Sequence, residues 1–361
     1  MTAGPLAGDL SVLVVGALAC VAPRASRPTL QFGVRVPPER AGEPVIGQER
    51  RAYYWRTAAI GACCTAAALA LRGHGSWWLP RIILLLELAA DFGCFWVARR
   101  KIAAAKHADG WFADLRQTIA TDTSWRTDPP RFPVRWLIPA LAVIAATAAV
   151  GALRYPGLPA HIVTGSGRRV PKAAFSVLVV AFQLYVTVLW TGLMLIIYRS
   201  RPDIEAADPA VSTLRYRRFL AATTRALLTL LALVDTSILV IALRYWQVYQ
   251  LSGIGQALPA LPFVAGLLLL AAVAGRAGQG GWRLNGNVRG LARANGTDRD
   301  DDQFWKAGLF YVNRDDPALV VGSHIGAGWT LNLGNPAAWL FIAGNVAALA
   351  SLVAIAAVAG T

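Results

Sequence analysis

Long apolar runs alternate with shorter polar stretches along almost the whole chain. Seven of these runs are close to or above the roughly 20 residues that a helix needs to cross a bilayer. They are Tyr53–Leu71, Trp77–Ala98, Trp136–Leu153, Ala173–Tyr198, Phe219–Leu243, Leu258–Gly275 and Ala337–Ala359. An eighth run, Pro5–Ala22, has a shorter apolar core that is interrupted by Asp9. The pattern predicts an all-α polytopic membrane protein with about eight transmembrane helices.

One segment ahead of the last run breaks this pattern. Residues 300–335, which we call the insert, alternate apolar residues with Gly, Asn, Asp and Pro. Such alternation is typical of short strands and turns. We expect Trp305–Tyr311 and Ala318–Val321 to pair as a β-hairpin, because the Asn, Asp and Pro between them favour a turn. The insert is therefore predicted to be small and to contain a β-hairpin.

Basic residues are distributed unevenly between successive loops. Most Lys and Arg residues lie in Arg24–Arg56, Arg99–Arg135, Arg199–Arg218 and Arg276–Arg314, and few lie in the loops between these. Loops rich in Lys and Arg face the cytoplasm in membrane proteins. This alternation predicts a multi-pass protein of the cell inner (plasma) membrane, with a cytoplasmic insert and with the C-terminus outside.

Composition agrees with a membrane protein and excludes several other classes. Of the 361 residues, 56% are hydrophobic and only 15% are charged, which is unlike a soluble domain. The net charge is +15, and the basic residues that produce it are concentrated in the loops between the apolar runs. We therefore expect the lipid bilayer as a partner and no nucleic acid. The four Cys residues lie within apolar runs and form no metal-binding pair. We therefore expect no cofactor, no metal and no catalytic residues, and the protein is predicted not to be an enzyme.

The same pattern divides the chain into three regions. Residues 1–135 hold the N-terminal helices and two basic loops, and residues 136–275 hold four central helices with an outer loop at 154–172. Residues 276–361 hold a Gly-rich linker, the insert and the last helix.

Four charged residues inside the predicted spans are candidates for function: Glu87, Asp91, Arg225 and Asp235. A charge at the centre of a span costs about 2.5–3.5 kcal/mol on insertion scales. Glu87 and Asp91 are four residues apart and share one helix face. Two such carboxylates disfavour joint ionisation, so they can relay a proton or a cation. The alternative is structural, because Asp91 and Arg225 are predicted to lie at the same depth and to form an ion pair.

A second set of polar residues lies at a spacing of four on one span: Gln183, Thr187 and Thr191. Polar side chains at such positions usually bond to neighbouring helices. We expect this role here, and the lining of a cavity is the alternative.

The insert also carries a set of residues at fixed spacings. They are Trp305, Lys306, Asn313, Asp316, Pro317, Gly328, Trp329 and Asn332. Together with their neighbours they resemble the bacterial family named domain of unknown function 5808. His324 stands where that family has Arg or Lys.

The outer loop 154–172 carries a second resemblance. Its matching residues are Leu158, Pro159, Ile162, Thr164, Gly167, Pro171 and Lys172. They resemble a shortened copy of domain of unknown function 1648, whose His would fall at Gly165 in this chain. That domain also occurs in immunity proteins that sense or neutralise a peptide toxin at the membrane.

Two functions remain open at this point. The resemblance implies non-enzymatic sensing of, or immunity against, membrane-active peptides or envelope stress, with a peptide or a cytoplasmic regulator as partner. The alternative is a proton-coupled or small-solute transporter that uses Glu87, Asp91, Arg225 and Asp235.

Overall fold

The computed structural model describes residues 15–17, 19–20, 23, 25–71, 78–113, 117–118, 128–164, 167–200, 209–250, 258–284, 297–298 and 300–358. Long helices dominate this part of the chain. In order they are α1 (Pro44–Ala70), α2 (Leu79–Ala108), α3 (Ile138–Arg154), α4 (Lys172–Arg199), α5 (Pro209–Tyr245), α6 (Ala260–Ala277) and α7 (Pro336–Val358). The prediction of a mostly helical chain is confirmed.

Five helical segments among the described residues are long and apolar enough to cross a membrane. They are Val134–Gly157, Lys172–Arg199, Val211–Tyr245, Ala260–Gly281 and Pro336–Ile355. Helices α1 and α2 are also long, but α2 carries Arg81, Glu87 and Asp91 within its apolar stretch. The run Pro5–Ala22 lies largely outside the described residues, although residues 15–17 and 19–20 are helical.

The helices form two groups. Helices α1 and α2 pack against each other, and the short antiparallel strands β1 (Leu30–Gln31) and β2 (Val34–Arg35) close one end of this pair. Phe32, between those strands, is buried among side chains of α1 and α2 that include Tyr53 and Phe95. A hydrophobic cluster therefore fixes the N-terminal hairpin to the helix pair.

The second group is centred on α5, which packs against α3, α4 and α6. Leu228 and Leu231 of α5 are fully buried against Ala140 of α3. A Cβ atom at Gly266 of α6 would come within 2.6 Å of Leu230, so the absence of a side chain lets α5 and α6 approach closely. Helix α7 contacts this group through α4, where the Tyr185 hydroxyl donates to Asn345 Oδ1 at 3.1 Å.

Small two-stranded sheets occupy the loops. Strands β4 (His161–Val163) and β5 (Arg169–Pro171) form an antiparallel hairpin in the loop between α3 and α4. Leu158 and Ile162 of this loop are buried against Ala242 and Trp246 at the end of α5. Strands β3 (Gln117–Thr118) and β6 (Thr297–Asp298) pair in parallel.

The insert contains two hairpins, and the predicted strand pairing is wrong. Strand β7 (Trp305–Lys306) pairs with β8 (Phe310–Tyr311), so the predicted first strand folds back on itself. The reason is a turn in which Ala307 and Gly308 both have positive φ. Strand β9 (Val320–Gly322) pairs instead with β10 (Trp329–Leu331), further along the chain.

Candidate functional site

Glu87 of α2 is completely buried between two glycines of neighbouring segments. A Cβ atom at Gly16 would lie 2.9 Å from Glu87 Oε1, and one at Gly61 of α1 would lie 3.5 Å from it. The absence of side chains at these positions gives the carboxyl its space. Neither oxygen of Glu87 has a hydrogen-bond partner among the described residues.

Asp91 lies one helical turn further along α2 and is only 7% exposed. Neither of its carboxylate oxygens has a hydrogen-bond partner in the described part of the chain. Tyr53 and Cys64 of α1, Cys94 of α2 and Glu87 are close enough to Asp91 to interact with it electrostatically. The predicted Glu87–Asp91 pair is therefore a buried acidic site that no described residue neutralises.

Asp91 lines a cavity of about 350 Å³. The cavity lies between α2, α1, the N-terminal segment and the insert, and its other lining side chains are mostly apolar. The aromatic ones are Phe32, Tyr53, Phe92 and Phe95. The Phe32 ring centroid lies 5.2 Å from that of Tyr53 and 5.9 Å from that of Phe95, so the rings form a continuous wall.

Asp235 of α5 belongs to a different arrangement. The Thr187 hydroxyl donates to Asp235 Oδ2 at 3.2 Å. Gln183 Nε2 donates to the Asp235 carbonyl at 2.9 Å and to Thr147 Oγ1 at 3.1 Å. These contacts confirm that Gln183 and Thr187 bond to neighbouring helices, and they make Asp235 part of the packing of α3, α4 and α5. The buried Thr191 hydroxyl has no hydrogen-bond partner among the described residues, so the prediction is not confirmed at that position.

Arg225 does not pair with Asp91, so that prediction is wrong. Arg225 lies on the exposed side of α5. No described carboxylate forms an ion pair with it, and Asp91 belongs to the group formed by α1 and α2. The similar depth predicted for Asp91 and Arg225 concerned only their positions along the membrane normal. It could not show that the two helices lie in different groups.

The insert contributes a second cluster, which we call the charged clasp: Arg35, Lys106, Asp300, Asp301, Asp302 and His324. Arg35 Nε lies 2.8 Å from Asp301 Oδ1, and the Arg35 backbone N–H donates to Asp302 at 3.0 Å. Lys106 Nζ lies 2.8 Å from Asp300 and 2.7 Å from Asp302. The clasp thus joins the N-terminal hairpin, α2 and the insert.

His324 is buried within the clasp and stacks on Trp305, with ring centroids 3.7 Å apart. Its Nδ1 lies 3.4 Å from the Gly33 carbonyl and its Nε2 lies 3.5 Å from Asp301 Oδ1. Burial lowers the pKa of His324, although Asp301 opposes this effect. Burial would raise the pKa of Asp301, but Arg35 and His324 hold it well below its usual range.

Three groups of the clasp have the composition of a metal site. Candidate ligand atoms of Asp301, Asp302 and His324 lie within 4.8 Å of one another. Arg35 and Lys106 already bind these carboxylates, so an ion would have to displace two nearly buried cations. Arg35 and Lys106 already form ion pairs with all three Asp residues of the clasp, and we assign no metal to it.

The motif residues of the insert mainly stabilise its loops. The Asn332 side chain is fully buried, and its Nδ2 donates to the carbonyls of Asn313, Asp316 and Ala318 at 2.9–3.1 Å. Its Oδ1 accepts the backbone N–H of Asn313 at 3.1 Å. Asp316 accepts hydrogen bonds from the Tyr311 hydroxyl and the Ala318 N–H. Asn313, Asp316 and Asn332 thus hold the segment between the two hairpins.

The remaining motif residues of the insert differ in their surroundings. Trp305 is buried on His324, and Trp329 Nε1 donates to the Tyr216 hydroxyl of α5 at 3.0 Å. Lys306 and Pro317 are exposed. The Gly328 carbonyl accepts the N–H of Ser323 within the turn that joins β9 to β10. Trp329 therefore docks the insert on α5, whereas Trp305 packs within the insert against His324.

Sequence reasoning missed the charged clasp. The signals were the run of three Asp residues at 300–302 and Arg35, which stands between two Val residues shortly after Gly33. Nothing in a single sequence joins them, because 266 positions separate Arg35 from Asp301.

Comparisons with known proteins add no information about the site. The chain matches no protein-family model, no curated protein and no solved structure.

Proposed function

We propose that the chain is a multi-pass protein of the bacterial inner membrane, in which α1, α2 and the run Pro5–Ala22 join the five apolar helices to give eight spans. The uneven distribution of Lys and Arg supports a cytoplasmic insert and an outer C-terminus. It also supports an outer position for the hairpin β4–β5. The lipid bilayer is then the partner of the exposed apolar faces.

Within that membrane, the protein acts as a proton-coupled transporter of a small solute, and not as an enzyme. The observation that carries this proposal is the pair Glu87 and Asp91, which is buried next to a cavity and has no hydrogen-bond partner in the part of the chain that the structure describes. A paired set of charges would have favoured a purely structural role. Unpaired acids that line a cavity are typical of proton and ion pathways in membrane proteins.

The chemistry follows from the cost of burying a charge. A carboxylate without a partner is expensive in an apolar environment, so each acid favours its neutral form until a cation arrives. Release of a proton and arrival of a positively charged or polar solute at the same carboxyl are then coupled. Asp91 would meet the solute. Glu87, one turn away, would release its own proton to water and then accept the proton of Asp91.

The experiment uses purified protein in liposomes that contain a trapped pH-sensitive dye. Gradients of single solutes from a panel of cations, zwitterions and neutral molecules are imposed in turn. We expect at least one solute to drive proton movement, and Glu87→Gln and Asp91→Asn to abolish it. Asp235→Asn is the matched control, since that acid belongs to helix packing. Equal proton movement in wild type and Asp91→Asn would contradict the proposal.

The second candidate function is sensing of, or immunity against, membrane-active peptides or envelope stress. The observation that favours it is the charged clasp, through which the insert joins α2 to the N-terminal hairpin. A peptide or a cytoplasmic regulator that binds the insert would act on both helix groups. A deletion strain challenged with membrane-active peptides tests this function, and unchanged survival would exclude it.

A further inference from the structure

We propose that the cavity beside Asp91 is a binding site for a monovalent organic cation with an apolar body, such as a quaternary or tertiary amine. This inference rests on the proposed transport function, because it names the class of solute that Asp91 meets.

The first argument is the mismatch between the cavity wall and its single charged group. Apart from Asp91, the lining consists mainly of apolar and aromatic side chains. Of the hydroxyl groups in the wall, that of Tyr53 donates to the Ala19 carbonyl at 3.1 Å. A ligand that fits must therefore present one positive charge to Asp91 and hydrocarbon to the rest of the wall.

The second argument is the aromatic surface next to that charge. Phe32, Tyr53, Phe92 and Phe95 all line the cavity, and Phe32 contacts both Tyr53 and Phe95. The face of an aromatic ring attracts a cation, by about 0.5–2 kcal/mol according to its desolvation. A quaternary ammonium group is the type of ligand that combines such rings with a carboxylate.

The same lining argues against an inorganic cation. Ca²⁺ and Mg²⁺ require about six oxygen ligands, and a strongly hydrated ion would lose its water without replacement. The described lining supplies the two oxygens of Asp91 and the hydroxyls of Tyr53 and Ser26. An organic cation is weakly hydrated and gains from contact with the apolar wall.

The size and access of the cavity agree with this ligand. A volume of about 350 Å³ lies at the lower end of the range of small-molecule sites, roughly 300–1,000 Å³. Leu88 and Phe92, which line it, are also 46% and 44% exposed on the outer surface of α2. An amphiphilic cation can therefore enter from the side of the helix pair.

Binding at a protonated Asp91 exchanges one positive charge for another. The O–H bond of the Asp91 carboxyl breaks, one proton leaves to water, either directly or by relay through Glu87, and the organic cation pairs with the resulting carboxylate. The charge of the site is the same before and after the exchange, which avoids a net buried charge. Among the described residues, the titratable groups that interact electrostatically with Asp91 are Glu87, Tyr53, Cys64 and Cys94.

The test measures equilibrium binding of benzyltrimethylammonium to the purified full-length protein in detergent by calorimetry. Neopentylbenzene, in which carbon replaces the nitrogen, is the neutral control. We expect saturable binding of the cation, release of a proton in weakly buffered solution, and no competition by neopentylbenzene. Asp91→Asn should weaken binding at least about tenfold, since it removes one partner of a buried charge pair. Asp235→Asn should bind like wild type.

A second variant keeps the test decisive if Asp91→Asn fails to fold. Ala19→Phe narrows the cavity without touching any charge and should also weaken binding at least tenfold. Equal affinity in Ala19→Phe and wild type, or equal competition by the neutral control, would overturn the proposal. Binding without any transport would refute the transport function alone. Transport of another solute, with no binding of the cation, would refute this inference alone.

Discussion

Arg35 and Asp301 lie 266 positions apart in the sequence, yet Arg35 Nε is 2.8 Å from Asp301 Oδ1. Their side chains are only 10% and 15% exposed, so the pair is largely withdrawn from solvent. The turn before Val34–Arg35, formed by Phe32 and Gly33, has positive φ at both residues. This conformation presents the Arg35 side chain and backbone N–H together to Asp301 and Asp302.

Removal of Arg35 is expected to destabilise the fold strongly. Arg35→Ala leaves Asp301 nearly buried beside His324 without its main cation, which should lower the free energy of unfolding by about 3 kcal/mol. The matched control is Arg40→Ala, which breaks the Arg40–Glu43 pair at 2.7 Å. That pair is 46% and 26% exposed, so its loss should lower the melting temperature much less than the loss of Arg35. Thermal unfolding in detergent measures both, and equal losses would contradict the importance of the clasp.

Acidification is expected to destabilise the protein through His324. Burial holds the pKa of His324 in the folded protein below its ordinary value of 6.5. As the pH falls below that value, the unfolded chain therefore binds a proton more readily at His324 than the folded protein does. His324 therefore does not lower the free energy of unfolding above about pH 6.5, but it lowers it increasingly as the pH falls further. Asp301, whose pKa is lowered from 3.8, adds a second loss that begins below about pH 4.

The measurement is the melting temperature between pH 8 and pH 5 for wild type and His324→Phe, which retains an aromatic ring over Trp305. Relative to His324→Phe, wild type should lose stability from about pH 6.5 downward. The comparison with the variant is needed because protonation of the buried acids Glu87 and Asp91 stabilises both proteins as the pH falls. A smaller loss in wild type than in His324→Phe would mean that an imidazolium bonded to both Gly33 and Asp301 outweighs its burial.

Asn332 is expected to be the most sensitive position of the insert. Asn332→Asp removes the N–H groups that serve three carbonyls and places negative charge against them, which should cost at least about 2 kcal/mol. Asn335→Asp is the matched control, because it loses one exposed bond to Pro317. Hydrogen exchange at residues 313–333 measures the effect. Unchanged protection in Asn332→Asp would show that these bonds do not hold the loop.

Gly16 is expected to control the position of Glu87. In Gly16→Ala the new methyl group would lie 2.9 Å from Glu87 Oε1, so the carboxyl must move. We expect Gly16→Ala to reduce solute-driven proton movement at least tenfold while the melting temperature changes little. Gly93→Ala is the control on α2, since nothing lies within 4 Å of its Cβ position. Normal proton movement in Gly16→Ala would remove Glu87 from the proposed mechanism.

The topology is tested by cysteine labelling in intact cells, after the four native Cys residues are replaced. Arg168→Cys lies in the exposed turn between β4 and β5, and Asp315→Cys lies in the exposed loop of the insert. The distribution of basic residues predicts that an impermeant reagent modifies the first and not the second. Labelling of Asp315→Cys from outside would reverse the orientation of the insert.

The sequence by itself determined the helical class, most helix positions and the candidate acids. Long apolar runs can satisfy their backbone groups in a membrane only as helices, so the runs around α3–α7 could be read directly. Gln183 and Thr187 could likewise be assigned to helix contacts, because a polar group in an apolar helix needs a partner. These inferences depend on neighbours along one chain segment.

Only the tertiary structure decided which elements meet. Helical depth placed Asp91 and Arg225 at one level, but helix packing separated them into different groups. The strands of the insert paired differently because Ala307 and Gly308 turn the chain early. The clasp between Arg35 and Asp301 joins segments far apart in sequence. The lack of hydrogen-bond partners for Glu87 and Asp91 among the described residues likewise depends on how distant segments pack around them. Contacts of this range follow from how the helices pack, and a single sequence does not encode that packing in any local pattern.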